Sequence, residues 1–145
     1  MKKLFIYYSN SGNGDKVASY LKDKGFDIRK VSTSEELPKS KILGILTGGF
    51  KASINYKDKL INFDNDISKY DVIYIGSPIW NSRLSSPINS VLDKVNLNNK
   101  KVTFILYSGS GQSKSATNKI NKLYPNSKII NLKNPKSNIK ELGKL

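Results

Sequence analysis

Lys3-Leu4-Phe5-Ile6-Tyr7-Tyr8, followed by Ser9-Asn10-Ser11-Gly12-Asn13-Gly14 and then by Asp15–Lys24, is the stretch that decides the fold. The first six residues form an apolar run rich in β-formers, the pattern of a strand buried on both faces. The Ser/Asn/Gly cluster ends it. Val17, Ala18 and Leu21 then recur at helical spacing, and Gly25 stands where a helix would stop. A strand, a short polar loop and a helix in that order make the first half of a βαβ unit.

The alternation continues along the chain. Phe26–Val31 predicts a second strand, Asp71–Gly76 the strongest one, Lys101–Tyr107 another, and Ile129–Leu132 a short last one. Helices are predicted at Pro87–Val95, where Ile88, Val91, Leu92 and Val95 share a face, and at Gln112–Leu123, with Ala116, Ile120 and Leu123 on one side. A short one at Ser137–Leu145 has Ile139 and Leu142 as its only anchors. Ser40–Lys51 has helical apolar spacing interrupted by Gly44, Gly48 and Gly49, and Ala52–Lys69 reads as a polar loop. With 145 residues the chain is expected to be one α/β domain, 1–145, built on a parallel sheet with right-handed crossovers. Ligands of such sheets bind beyond the carboxyl ends of the strands. The loops to inspect are those after Tyr8, Gly76 and Tyr107.

Neither cysteine nor histidine occurs. Disulfides, thiolate nucleophiles, Cys/His zinc sites and Ser-His-Asp triads are thereby excluded, so redox chemistry would need a bound cofactor. No apolar run reaches the ~18 residues of a membrane span. The apolar start at Leu4–Tyr8 is too short for a signal segment, so a cytoplasmic protein is expected.

The first loop, Ser9–Gly14, has two readings. Small hydroxyl and glycine residues ahead of a helix can cradle a phosphate on backbone N–H groups, and the same residues can form an ordinary polar turn. No lysine or arginine lies inside it. It is not a Walker loop, nor is Gly109–Ser115, and a dinucleotide fingerprint fails because Val17 stands where its third glycine is needed. The second loop, Gly76-Ser77-Pro78-Ile79-Trp80-Asn81, holds the only tryptophan, which could stack on a flat ring or pack against its own loop. In the third, Ser108-Gly109-Ser110-Gly111-Gln112, glycines allow close backbone approach to a heterocycle and serines add donors.

Taken together, these blocks resemble the flavodoxin family. The resemblance rests on S-N-S-G-N-G leading into D-K-V-A, on Y-D-V-I-Y-I-G-S-P-I-W at Tyr70–Trp80, on S-P-I-N-S-V-L, and on F-I-L-Y-S-G-S-G at Phe104–Gly111. Gly48-Gly49-Phe50-Lys51-Ala52 is similar to a segment of the short flavodoxin-like proteins. The resemblance implies a flavodoxin-like three-layer sandwich with a five-stranded parallel sheet of order 2-1-3-4-5, and non-covalent FMN. Ser9, Asn10, Ser11, Gly12, Asn13 and Gly14 would hold its phosphate. Pro78, Ile79, Trp80 and Asn81 would flank the isoalloxazine, as would Ser108, Gly109, Ser110 and Gly111. The implied role is electron transfer. A flavodoxin-like NAD(P)H/quinone reductase, or a flavin-free anion- or nucleic-acid-binding module, is the alternative.

Two features depart from the family pattern. Gly14 stands where flavodoxins usually carry threonine, and the third loop has no aromatic residue. The charge also differs, with 25 basic and 11 acidic residues and a net charge of +14. Only Arg29 and Arg83 are arginine, and base readout favours arginine, so nucleic acid is not the expected partner. The lysines reflect either compositional bias or a surface for anionic partners, with a basic face over residues 100–145. An acidic redox protein is the expected partner, and a monomer or weak dimer the expected state. Positive potential near the flavin should make its reduction potential less negative than in acidic flavodoxins.

Overall fold

The computed structural model describes residues 1–34, 41–53 and 56–145. Strands β1 (Lys3–Tyr7), β2 (Asp27–Lys30), β3 (Val72–Trp80), β5 (Lys101–Ser108) and β6 (Lys128–Lys133) run parallel in the order β2-β1-β3-β5-β6. The two-residue strand β4 (Arg83–Leu84) pairs antiparallel with the end of β3. Without β4, the parallel order is the expected 2-1-3-4-5. Helices α1 (Asn13–Asp23), α2 (Lys41–Ser53), α3 (Ser86–Lys94) and α4 (Lys114–Leu123) follow β1, β2, β4 and β5, and a 3-10 turn at Ile139–Lys144 closes the chain.

Alternation along the strands sorts the core into two faces. Leu4 and Ile6 of β1, Ile73 and Ile75 of β3, and Phe104 and Leu106 of β5 lie under Ile88 and Val91 of α3 and Ala116 and Ile120 of α4. Phe5, Tyr7, Ile105 and Tyr107 point the other way, under Val17 and Leu21 of α1 and Leu142 of the final turn. Phe5 and Tyr7 stack with centroids 5.0 Å apart. Gly76 lies opposite Tyr7, where a Cβ would come within 2.5 Å of the Phe5 ring, so only glycine fits between β1 and β3 there.

Some expected boundaries change. The interrupted pattern at Ser40–Lys51 forms a continuous helix from Lys41, while Ser40, Ile54 and Asn55 lie outside the described residues. Gly25 ends the first helix with φ +80°. Leu123 and Ile139, expected as anchors, are more than half exposed, because Ala116, Ile120 and Leu142 suffice to cover the sheet at those edges.

The largest change is at the second loop. Gly76–Trp80 is not a loop but the continuation of β3, which turns back through Asn81 and Ser82 into β4. Both turn residues have positive φ, 48° and 61°, the backbone of a two-residue hairpin. Pro78 is tolerated within the strand for a directional reason. Tyr8 N–H donates to Gly76 O, so Gly76 and, two residues on, Pro78 face the side of β1. Strand β1 has ended by that point, and no ladder bond needs the missing N–H.

The Ala52–Lys69 segment holds a buried anchor that its polar composition hides. Asp58 pairs with Lys51 of α2 at 2.8 Å, accepts a hydrogen bond from the Ser86 hydroxyl of α3, and takes the Ser90 hydroxyl on its backbone carbonyl at 2.7 Å. Removing one partner of a buried pair costs about 3–5 kcal/mol. Asp58→Ala is expected to lower the urea midpoint by the equivalent of about 3 kcal/mol, with an unchanged m-value. A shift worth less than about 1 kcal/mol would show that α2 and α3 do not depend on this carboxylate.

Candidate functional site

Ser9 organises the first loop. Its Oγ accepts the N–H groups of Gly12 and Gly14, each at 3.2 Å. This supplies the capping that Gly12, the residue at the N-cap position with φ +93°, has no side chain to provide. Gly12 and Gly14 are thereby turned inward. The N–H groups of Ser11, Asn13 and Asp15 have no acceptor among the described residues. Unpaired amides on either side of a left-handed glycine, at the start of an eleven-residue helix, have the geometry that suits an anion.

Asp15 sits at this surface without repelling an anion. It receives the Tyr7 hydroxyl at 2.9 Å and the Lys30 ammonium at 2.7 Å. Burial pushes its pKa upward, but the hydrogen bonds from Lys30, Tyr7 and Ser9 and the Lys30 charge outweigh burial and hold it below the usual carboxylate range. The Tyr7 hydroxyl is shifted upward, by burial first and then by Asp15, so it stays a donor.

Gly14 is enclosed. A Cβ there would lie 2.5 Å from the Tyr107 hydroxyl oxygen, 2.8 Å from the Tyr7 ring and 2.9 Å from Ser9 Cβ. The Tyr107 hydroxyl donates to the Tyr8 carbonyl and is fully buried, with its pKa raised well above that of a free tyrosine by desolvation. Strand β5 thus fills, with a tyrosine, the space a side chain at position 14 would use.

The other two loops converge on a hollow of about 350 Å³ lined by Ile79, Ser82, Ser108, Gly109, Ser110, Gln112 and Lys114. Ser108 Oγ accepts Gly111 N–H at 2.9 Å and Ser110 Oγ accepts Gln112 N–H at 3.2 Å. The serines therefore shape the turn, while the N–H groups of Gly109 and Ser110 have no acceptor among the described residues. Gly111 has φ +72° and packs on Lys133. Pro78 is in the sheet, paired in register with Tyr107, and Asn81 is at the hairpin tip. Trp80 is half-buried. Its ring meets Tyr8 edge-on at 5.8 Å, and Gly48 of α2 lies against it, where a Cβ would be 3.0 Å away. A separate hollow of about 310 Å³ beside the first loop is lined by Tyr8, Ser9, Asn10, Lys30, Ser32 and Thr33, among others.

Several site residues escaped the sequence. Lys30, Ser32 and Thr33 come from the end of β2, and Lys136 from the turn after β6. The rule that loops gather at the carboxyl ends of parallel strands would have pointed to both turns. Gly48 and Tyr107 lie in segments that carry the family resemblance, but the packing through which they act is visible only in the fold. Among the described residues no cluster of His, Cys, Asp or Glu suits a metal, and no helix is long and apolar enough to cross a membrane.

A parallel sheet of order β2-β1-β3-β5-β6, with a glycine- and serine-rich loop leading from its first strand into a helix, defines a flavodoxin-type α/β domain. The flavodoxin family model matches residues 2–142, and the chain belongs to that family. Among solved structures, a flavoprotein from Lactobacillus acidophilus NCFM in complex with FMN is 24% identical with a TM-score of 0.69, covering 96% of this chain and 97% of its own. A candidate flavoprotein from Bacteroides eggerthii is 23% identical with a TM-score of 0.72, covering 92% and 88%. One from Bacteroides uniformis is 22% identical with a TM-score of 0.70, covering 99% and 98%. At these identities the likeness is one of fold. No curated protein matches the chain.

The enclosure of Gly14 makes a counterintuitive prediction. Gly14→Thr, which would restore the hydroxyl of the family pattern, is expected to destabilise the protein by about 1–3 kcal/mol through overpacking. Tyr107→Phe removes the nearest atom, so the double variant should recover part of the loss. Thermal or urea denaturation of all four proteins in the cycle measures this. Strictly additive losses would mean that Tyr107 and position 14 do not compete for space.

Proposed function

We propose that this protein binds FMN at the carboxyl end of its sheet and transfers electrons between protein partners. The observation that carries the reading is the set of unpaired N–H groups at Ser11, Asn13 and Asp15. Oriented backbone dipoles at a helix N-terminus suit the phosphate of a mononucleotide. The L. acidophilus relative solved with FMN supports the choice of ligand.

Bound FMN would supply reversible electron uptake. Around it, the residues of this chain bind and orient. Gly109 and Ser110 would offer their N–H groups to the polar edge of the ring. Trp80, braced by Tyr8 and Gly48, would form a fixed aromatic wall. Transfer between proteins is favoured over substrate reduction because, among the described residues, the hollow at Ile79 and Ser108–Gln112 has one ionisable side chain, Lys114, and so no acid–base pair. The net charge of +14 supports an acidic partner.

Titrating FMN with the purified protein is expected to quench flavin fluorescence and saturate at one FMN per chain. A protein that leaves FMN fluorescence unchanged would end the flavin reading. The loaded protein is expected not to oxidise NAD(P)H with a quinone, and steady turnover would favour a reductase instead. Electron transfer to an acidic acceptor should slow steeply with added salt.

A further inference from the structure

The first loop contains no cation of its own, yet one is delivered from 124 positions further along the chain. After β6 the backbone crosses the loop at Asn134–Ser137, and Lys136 N–H donates to Asn13 Oδ1 at 3.0 Å. The Lys136 side chain then lies along Gly12. A Cβ on Gly12 would meet its Cδ, Nζ and Cε at 3.1, 3.2 and 3.3 Å. Its ammonium donates to the Ser11 carbonyl at 3.2 Å.

The other cation at this loop is already neutralised, since Lys30 is bound to Asp15. Lys136 is different: among the described residues it has no carboxylate partner, and its ammonium is held at the Ser11 carbonyl, on the same loop as the unpaired amides of Ser11 and Asn13. Its backbone bond to Asn13 holds the segment in place whatever the side chain does. Gly12 also leaves the room that the aliphatic stem occupies. Lys136 is exposed, so its ammonium is open to an anionic ligand that approaches the loop amides.

We propose that Lys136 is the counter-ion of the ligand phosphate and makes this site select the phosphorylated flavin over the unphosphorylated one. The proposal rests on the flavin reading above. It also assigns a specificity role to a residue outside all three loops expected to form the site.

The test compares FMN with riboflavin, which carries the same ring and ribityl chain but no phosphate. Lys136→Gln keeps most of the stem over Gly12 and removes the charge. It is expected to raise the Kd for FMN about 5- to 20-fold at low salt while leaving the Kd for riboflavin within about twofold, a difference set by one lost ion contact. Lys136→Arg should stay near wild type, and the salt dependence of FMN binding should become shallower in Lys136→Gln. Equal weakening of both flavins would overturn the proposal and reduce Lys136 to packing, and so would unchanged FMN affinity. If the wild-type protein binds neither flavin, the flavin reading itself falls. If it binds FMN and Lys136→Gln binds it as well, only the role of Lys136 falls.

Discussion

The hydrogen bond from the Tyr107 hydroxyl to the Tyr8 carbonyl is the constraint on which the site depends. It ties the end of β5 to the point where the chain leaves β1, across the intervening strand β3. Because the hydroxyl is fully buried, breaking the bond would strand a polar group on each side. The bond also explains position 14. With the Tyr107 oxygen and the Tyr7 ring occupying the space above Gly14, any side chain there must displace a core residue. The missing threonine is therefore the outcome of a different packing solution, in which an aromatic hydroxyl from β5, two strands away in the sheet, replaces a loop hydroxyl as the element that fixes the turn. It does not replace it as a donor to the ligand, since its hydrogen is committed to Tyr8.

Charge is arranged around that scaffold in two layers. Beneath the loop, the Lys30–Asp15 pair, backed by the Tyr7 hydroxyl, keeps a carboxylate near the helix start without presenting net negative charge. Above it, Lys136 adds a positive charge that Asp15 does not neutralise. An excess of lysine over the whole chain cannot create such a distinction, because exposed charges are screened within about 8–10 Å at physiological salt. The placement of individual side chains, not the total of +14, decides what the loop sees.

How much of this was legible in the sequence follows from range. The five parallel strands and the flanking helices could be read because each depends on an apolar pattern a few residues long, and Ser9–Gly14 could be read because the glycines and hydroxyls that shape the loop are contiguous. The roles within the loop could not. The resemblance makes Ser9 a phosphate-holding residue, yet its oxygen accepts the N–H groups of Gly12 and Gly14, which only the folded geometry reveals. Likewise Gly76–Asn81 looked like a loop because Gly, Ser, Pro and Asn are turn formers. Pairing with Arg83 and Leu84 overrides that preference and extends β3 to Trp80. Lys136 had no local signal, and the segment resemblance at Gly48 did not reveal its role, because both act through contacts, with Gly12 and Trp80, that are distant along the chain.

The extended β3 hairpin shows how the second and third loops become one rigid unit. Asn81 and Ser82 both hold positive φ, which costs an L-residue of order 1–3 kcal/mol each unless the surroundings enforce it. The enforcement is visible at Ser82. Its hydroxyl oxygen accepts Ser115 N–H at 3.2 Å and its carbonyl accepts Ala116 N–H at 2.8 Å, so the hairpin tip caps the first turn of α4. Helix α4 begins directly after the Ser108–Gln112 loop, and Ile79 on the hairpin lines the same hollow as Gly109 and Ser110. The strained turn and the helix cap therefore stabilise each other, and the two walls of the hollow cannot separate without breaking both bonds. A ligand ring entering there would meet a surface already ordered before it binds, which lowers the entropy cost of holding it.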